Sequence, residues 1–198
     1  MQDRADTDEA LLARYRAGDP SALDALVDRY GRSVYAFIHR TLGPEAAAED
    51  LAQEVWLRVI RGVGRFDGRA RFSTWLFQVA RNACLDHLRR RRRHPPPARA
   101  DSETASGLDG LAAPGPSILE RVSGRELGAL VDEAVRELPA PQREVFLLRE
   151  HTPLTFGEIG ELLGVPRETV KSRMRYALAA VRRAVRRRIR AEASSHGL

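Results

Sequence analysis

The sequence is poor in cysteine, lysine, aromatic side chains and long apolar segments, and each shortage excludes a class of protein. A single cysteine, Cys84, among 198 residues excludes an internal disulfide and a cysteine-rich zinc site. No apolar run approaches the ~18 residues that a membrane-spanning helix needs. Residues 1–9 are polar and acidic, unlike a secretory signal. We therefore expect a cytoplasmic protein that has no membrane span of its own.

What remains is the composition of a basic globular protein. Hydrophobic residues make up 43% and charged residues 30%, while aromatics are only 6%, so aliphatic side chains must build the core. The 33 basic residues exceed the 27 acidic ones, and Lys171 is the only lysine among them. A GC-rich genome accounts for most of that arginine preference. The positive balance still favours an anionic partner such as nucleic acid.

Residue patterns typical of enzymes are also missing. No two histidines stand at i,i+4 spacing, and there is no glycine-rich phosphate loop. Cys84 and His87 have metal-ligand spacing, but no second pair accompanies them, and a buried thiol on a helix is the better interpretation. We expect no catalytic residue, no metal site and no cofactor.

The chain is predicted to be all-α, with two small helical domains joined by a flexible linker. Alternation of β-branched and polar residues over five or more positions, which is typical of strands, does not occur. The segment from Pro95 onwards begins with three prolines and continues with small polar residues, glycine and proline, so it cannot continue a helix. The predicted boundaries are domain 1–94, linker 95–117, domain 118–190 and tail 191–198.

Within the first domain the helices are interrupted by one glycine-rich and charged loop. Apolar spacing predicts a helix over residues 46–61, and residues 62–71 read as the loop. Ser73 is a candidate N-cap for a helix over 74–92. The aromatic rings of Trp75 and Phe77 have helical spacing and are expected to belong to the core.

The second domain contains a pattern typical of a helix-turn-helix. Thr155 and Glu158 form a capping box, and Gly164 to Pro166 provide a short turn before the next helix. That helix is predicted to bury a stripe of apolar residues: Val170, Met174, Ala177, Leu178, Val181 and Val185. Ten basic residues and only one acidic residue lie between Arg167 and Arg190, which favours DNA as the ligand.

Several motifs, in this order, resemble those of bacterial extracytoplasmic-function (ECF) RNA polymerase sigma factors, in the sigma-70 family. They are Ala48–Val59 (AEDLAQEVWLRV), Phe72–Leu76 (FSTWL), Val79–Asn82 (VARN), Leu138–Pro139, Leu162–Pro166 (LLGVP) and Thr169–Arg173 (TVKSR). The resemblance covers nearly the whole chain. It implies sigma region 2 in the first domain and sigma region 4 in the second, with promotion of transcription initiation as the function.

The resemblance also implies where core RNA polymerase binds. The helix from Asp50 to Val59 would dock on the clamp helices of the polymerase β′ subunit. The implied contact residues are Asp50, Leu51, Gln53, Glu54, Leu57 and Arg58. All of them except Leu51 fall on one helix face by i, i+3, i+4 spacing. Acidic side chains on that face suit a protein partner better than they suit DNA.

Promoter DNA is the second implied partner. The −10 element would contact the region from the 66–72 loop along the following helix, through Phe72, Trp75, Asn82, Asp86, Arg89 and Arg90. The −35 element would contact the second helix of the helix-turn-helix, through Arg167, Glu168, Thr169, Lys171, Ser172 and Arg175. Asparagine can read a base edge and arginine can neutralise phosphate, so these residue types suit the task.

The family further implies an anti-sigma factor that covers the polymerase-binding surface. Two alternatives remain at this stage. A conventional helix-turn-helix regulator would bind duplex DNA by itself and would not need an acidic docking face. A recombinase or nuclease with a helical DNA-binding tail would need a nucleophile or a metal-binding carboxylate cluster, and none is apparent in the sequence.

Overall fold

The computed structural model describes residues 6–43, 47–93 and 118–195, with side chains described except at 118–126 and 192–195. Within these ranges the chain forms α-helices and one short 3-10 turn at Val63–Arg65, and no strand. The predicted all-α fold is therefore confirmed. The predicted linker, 95–117, lies outside the described residues.

Two compact units make up the structure, one formed by Met1–Pro97 with Leu147–Arg167 and the other by Ala98–Phe146 with Glu168–Leu198. The domain boundaries predicted from the sequence stay predictions. The helices are α1 (Asp8–Arg16), α2 (Ser21–Leu42), α3 (Ala47–Gly62), α4 (Phe72–Arg93), α5 (Ile118–Arg136), α6 (Ala140–His151), α7 (Phe156–Leu163) and α8 (Arg167–Ser195).

The core of the first unit lies between α2, α3 and α4. Helix α2 buries one stripe with helical spacing, which includes Leu26, Val34, Phe37 and Ile38. Helix α3 contributes Leu51, Val55 and Val59, which are four residues apart. Helix α4 contributes Leu76 and Phe77. The Phe77 ring packs edge-on against Phe37 at 6.1 Å between centroids, so its predicted core position is confirmed. This packing fixes which faces of α3 and α4 remain exposed.

Helix α4 begins two residues earlier than predicted, and Ser73 is not its N-cap. The Trp75 amide donates to the Arg71 carbonyl at 3.1 Å, so the first helical turn already includes Phe72. Ser73 and Thr74 are both buried within that turn. The predicted start was wrong because Phe72 packs into the core as part of the first helical turn, so the helix begins at Phe72 and not at Thr74.

In the second unit α8 is one continuous helix to Ser195. Its buried face consists of Val170, Met174, Ala177, Val181 and Ala184. The predicted stripe is thus correct at Val170, Met174, Ala177 and Val181, whereas Leu178 is 36% exposed and Val185 is half-buried. Leu178 follows Ala177 by one residue, a rotation of ~100°, so the two cannot share the centre of one buried face.

Candidate polymerase and nucleic-acid interfaces

The first candidate surface is the exposed face of α3, which we call the α3 face and define as Asp50, Gln53, Glu54, Leu57 and Arg58. Asp50 and Gln53 are exposed, and Glu54 and Arg58 are half-buried. Leu57 is 50% exposed, so an apolar side chain lies among the polar ones of this face. The structure therefore brings together five of the six residues predicted to contact polymerase.

Leu51, the sixth, does not belong to this face. It is only 4% exposed and packs in the core of the first unit, so it supports the helix and offers no surface to a partner. Ile60 was not predicted as a contact, yet it is 38% exposed. Ile60 lies three residues after Leu57, so the two side chains are neighbours on the helix surface and together form a small exposed apolar area, which we call the apolar spot. That i,i+3 spacing was the signal that could have identified Ile60 from the sequence.

The second candidate surface runs along α4, and we call it the α4 stripe: Trp75, Gln78, Asn82, Asp86, Arg89 and Arg90. Their spacings of three, four and seven residues place them on one side of the helix. Gln78, Asn82, Arg89 and Arg90 are exposed, whereas Trp75 and Asp86 are half-buried. Gln78 was missed by the sequence analysis, although it lies four residues before Asn82 and carries the same amide group.

Phe72 was predicted to contact the −10 element, but the structure buries it completely. The rings of Tyr30, Phe66 and Trp75 surround it, with centroids 5.8, 6.3 and 6.0 Å away. No face of the Phe72 ring is left for a base, so the prediction of a direct contact is wrong in this conformation. Phe72 instead supports Phe66 and Trp75, whose half-buried rings lie 5.1 Å apart at the start of the α4 stripe.

Arg16, at the end of α1, holds the turn that precedes this aromatic cluster. Its guanidinium donates to the Val63 carbonyl at 2.8 Å and to the Phe66 carbonyl at 2.5 Å. A guanidinium presents several donors in a fixed plane, so one side chain can hold both carbonyls at once. Sequence reasoning missed Arg16 because it lies 47 residues from the carbonyl of Val63 that it binds.

The helix-turn-helix predicted from the sequence is confirmed. The Thr155 hydroxyl accepts from the Glu158 amide at 3.3 Å, and the Glu158 carboxylate accepts from the Thr155 amide at 2.7 Å. Gly164 ends α7 with φ +66°, a backbone conformation that favours glycine. Because Gly160 has no side chain, the backbone of the turn can pack closely against α7. A Cβ at this position would lie 2.8 Å from the Val165 carbonyl oxygen.

Burial and hydrogen bonds act on the Glu158 pKa in opposite directions, and the pKa is lowered on balance. Partial burial is the largest single influence and raises the pKa. The opposing hydrogen bonds from the amide and hydroxyl of Thr155, and from the Arg71 guanidinium 3.4 Å away, together outweigh it. Glu158 is therefore ionised at neutral pH and keeps the capping box closed.

The third candidate surface is the first half of α8, which we call the α8 reading face: Arg167, Glu168, Lys171, Ser172 and Arg175. Arg167, Glu168 and Arg175 are exposed, and Lys171 and Ser172 are half-buried. Lys171 pairs with Glu168 at 2.8 Å, and the Arg175 guanidinium lies 5.2 Å from the centroid of the exposed Tyr176 ring.

Thr169 was also predicted to contact DNA, and it lies at the edge of this face. It is half-buried, and its backbone carbonyl accepts from the Ser172 hydroxyl at 2.9 Å. The Ser172 oxygen keeps acceptor capacity after donating that bond, so it remains able to accept from a base N–H group or from a bridging water.

Among the side chains that the structure describes, no three His, Cys, Asp or Glu residues converge as metal ligands would. None of the helices in the described ranges combines the length and apolarity that crossing a membrane requires. Cys84 is buried in α4, and burial raises the pKa of its thiol to about 12.

Comparison with known proteins agrees with the order of these surfaces along the chain. Residues 26–94 match the family Sigma-70 region 2, and residues 134–183 match Sigma-70, region 4. The first match contains the α3 face and the α4 stripe, and the second contains the helix-turn-helix. The ECF RNA polymerase sigma factor SigW of Bacillus subtilis is 33% identical over 181 residues, which are 88% of this chain and 95% of SigW.

Solved structures support the fold. CnrH, solved in complex with the cytosolic domain of CnrY, has a TM-score of 0.65 at 23% identity and covers 89% of this chain and 95% of its own. The sigma factor RpoE of Bartonella quintana, solved with the anti-sigma factor NepR, has a TM-score of 0.62 at 20% identity and covers 82% and 96%. Two family matches in the expected order, together with the long alignment to SigW, lead to one conclusion: the chain belongs to the sigma-70 family and is a sigma factor of the ECF class.

Proposed function

We propose that the chain directs core RNA polymerase to promoters through the three surfaces described above. The α3 face docks on the clamp helices of the β′ subunit. The α4 stripe contacts the −10 element and holds it open, and the α8 reading face contacts the −35 element in duplex form. This role requires polymerase and promoter DNA in one compartment, which in a bacterium is the cytoplasm.

The observation that carries the proposal is the division of chemistry between neighbouring exposed faces of α3 and α4. The α3 face offers carboxylates, an amide and the exposed Leu57, a combination that repels phosphate and suits a protein surface. The α4 stripe offers an aromatic ring, amides and arginines, the groups that bind unpaired bases and their backbone. A regulator that acts without polymerase would have no use for the first of these faces.

Run-off transcription with core polymerase tests the proposal. The chain is expected to support promoter-specific transcripts, and the double variant Asp50→Arg/Glu54→Arg is expected to lose them together with capture of core polymerase. The matched control is Asp24→Arg/Asp28→Arg, which reverses two exposed carboxylates with the same i,i+4 spacing on α2. If the α3 variant still captures polymerase while its helical circular dichroism is unchanged, docking occurs elsewhere.

Reading of the −35 element is tested on the same holoenzyme. Lys171→Ala and Arg175→Ala are each measured against every single-base change in that element. A residue that reads a guanine edge is expected to contribute ~1–3 kcal/mol and to lose preference at one base pair when removed. A residue that contacts only phosphate weakens all sequences equally. If neither variant alters the base preference, the residues that recognise the −35 element lie outside this helix.

An anti-sigma factor is the third proposed partner. The apolar spot formed by Leu57 and Ile60 lies on the α3 face and is exposed in the free chain, as expected for a surface that two competing protein partners share. In a pull-down, a co-purified inhibitor is expected to be displaced by core polymerase. Simultaneous binding of both would exclude a shared surface.

A further inference from the structure

Phe66 and Trp75 form a pair of aromatic rings at the start of the α4 stripe, and we call them the ring pair. Both rings are half-buried, their centroids lie 5.1 Å apart, and their planes are tilted by 36°. The buried Phe72 ring packs against Phe66 at 6.3 Å and an interplanar angle of 83°. The part of the ring pair that stays accessible is an aromatic surface of the kind on which unpaired bases stack.

The two rings are held in different ways, and Trp75 is held by regular structure. It belongs to the first turn of α4, where its amide donates to the Arg71 carbonyl at 3.1 Å. Its ring lies directly against the end of α3, because a Cβ at Gly62 would be 3.0 Å from Cζ2 of Trp75. Two helices therefore fix the position of Trp75.

Phe66 has less support from its own segment. It follows the 3-10 turn Val63–Arg65, which is closed by a bond of 3.3 Å from the Phe66 amide to the Val63 carbonyl. Hydrogen-bond geometry in such turns is poorer than in an α-helix. Two residues later, Gly68 adopts φ +73° in an exposed part of the loop. The position of Phe66 therefore depends on a contact from outside the turn.

Arg16, the last residue of α1, supplies that contact. Its Nε and Nη2 donate to the Val63 carbonyl at 3.2 and 2.8 Å, and Nη2 also donates to the Phe66 carbonyl at 2.5 Å. One planar guanidinium thus holds both ends of the turn. Arg16 precedes residue 26, where the match to Sigma-70 region 2 begins, so that match assigns it no role.

We propose that Arg16 is a positioning residue of the −10 surface, which keeps the Phe66 ring on Trp75 so that the ring pair stacks one unpaired base of the −10 element. The inference rests on the proposed role of the α4 stripe and adds a preformed stacking surface to it. A surface that is ordered before DNA arrives loses little conformational freedom on binding. Arg16 therefore changes the affinity for the opened strand without contacting that strand.

A direct contact between Arg16 and a phosphate is the competing explanation, because the side chain is exposed. Two of the three guanidinium nitrogens already donate to backbone carbonyls, which favours positioning over phosphate binding. The two roles differ in salt dependence. Loss of a phosphate contact on a single strand flattens the log–log salt slope by about 0.7, whereas loss of stacking leaves the slope unchanged.

The test uses holoenzyme and the non-template strand across the −10 element of a promoter that supports run-off transcription. Fluorescent 2-aminopurine replaces its bases one at a time, and stacking on an aromatic ring quenches the fluorescence. One position is expected to be quenched. Phe66→Ala should abolish that quenching and weaken binding of the strand about tenfold, within the range for loss of one base–aromatic contact.

Arg16→Gln is expected to reduce the quenching at the same position and to weaken binding about threefold or more, with an unchanged salt slope. In the double variant Arg16→Gln/Phe66→Ala, the arginine substitution should add less than about twofold to the loss, because Arg16 acts through the Phe66 ring. Helical circular dichroism and capture of core polymerase are measured for each variant. Arg16→Lys keeps the charge, is expected to give an intermediate loss, and carries the test if Arg16→Gln does not fold.

The matched control is Arg14→Gln, which removes the same charge from the same helix. Arg14 pairs with the Asp6 and Asp19 carboxylates at 2.5 and 2.7 Å and makes no printed contact with the turn, so its loss should change neither quenching nor binding. The inference is overturned by unchanged quenching in Phe66→Ala or Arg16→Gln, by equal losses in the control, or by full additivity in the double variant.

Two further outcomes separate this inference from its basis. A salt slope flattened by about 0.7 in Arg16→Gln would assign Arg16 to a phosphate and overturn the positioning role. If Asn82→Ala and Arg89→Ala both leave binding of the same strand unchanged, the proposed role of the α4 stripe itself is wrong, whatever Arg16 does.

Discussion

The Arg58 guanidinium on α3 lies 3.6 Å from the Asp86 carboxylate on α4. Arg58 also pairs with Glu54 at 2.6 Å, and Asp86 lies 3.6 Å from Arg89. One chain of alternating charges thus joins the α3 face to the α4 stripe. Because Asp86 is already shared by two arginines, its carboxylate orients basic side chains at the boundary between the two surfaces.

Asp86→Asn is expected to change the stability of the free protein by less than about 1 kcal/mol, because these ion pairs are partly exposed to solvent. A carboxylate that orients Arg58 and Arg89 without itself contacting DNA repels the phosphates, so the same change should tighten −10 binding about threefold at low salt and would remove Asp86 from the expected −10 contacts. Holoenzyme binding to a single-stranded −10 oligonucleotide measures the effect. Asp24→Asn, an exposed aspartate on α2, is the control. Weaker binding by Asp86→Asn would mean that the carboxylate itself accepts from a base.

Two glycines of α7 are expected to respond to alanine with opposite signs. A Cβ at Gly160 would lie 2.8 Å from the Val165 carbonyl oxygen and 3.5 Å from the Arg167 amide nitrogen, so Gly160→Ala should destabilise the helix-turn-helix by about 1–3 kcal/mol. At Gly157 the nearest atom is the Thr155 hydroxyl oxygen at 3.8 Å, which is ordinary contact. Gly157→Ala should therefore stabilise by about 0.5 kcal/mol. Urea unfolding followed by circular dichroism distinguishes them, and equal effects would disprove the close approach at Gly160.

The capping box gives the helix-turn-helix a defined pH dependence. The folded-state pKa of Glu158 is lowered from its usual 4.5, so its ionised form contributes stability that is present above that pH and is lost as the pH falls through the folded pKa. The stability gap between the unmodified chain and Glu158→Gln should be largest at neutral pH and should close in acid. Thermal unfolding from pH 7 to pH 3 measures it. Glu161→Gln, the same substitution at an exposed position of α7, is the control.

Cys84 is expected to be inert in the folded protein. Burial raises the pKa of its thiol to about 12, and the thiolate is the reactive form, so at pH 8 labelling should be about a thousandfold slower than in the unfolded chain. The reaction with a chromogenic disulfide in the absence and presence of urea provides the measurement. Rapid labelling without urea would show that α4 opens readily around this position.

The helix-turn-helix was predictable from the sequence because its determinants are local. A capping box needs a threonine and a glutamate three residues apart, and the turn needs one residue that tolerates a positive φ, which is Gly164. The exposed positions of the α3 face were predictable for a similar reason. Helical spacing determines which side chains share a face whatever lies on the other side of the helix.

Tertiary structure alone decided how much of each face is covered. Leu51 and Phe72 were both expected to contact a partner, but the packing of α3 and α4 on the rest of the first unit buries both. The same packing brings Arg58 to Asp86 and Arg16 to the Val63 carbonyl, across 28 and 47 residues of chain. Periodicity specifies directions around one helix axis, whereas burial and long-range pairing depend on which helices meet, and that is settled by the packing of the whole unit.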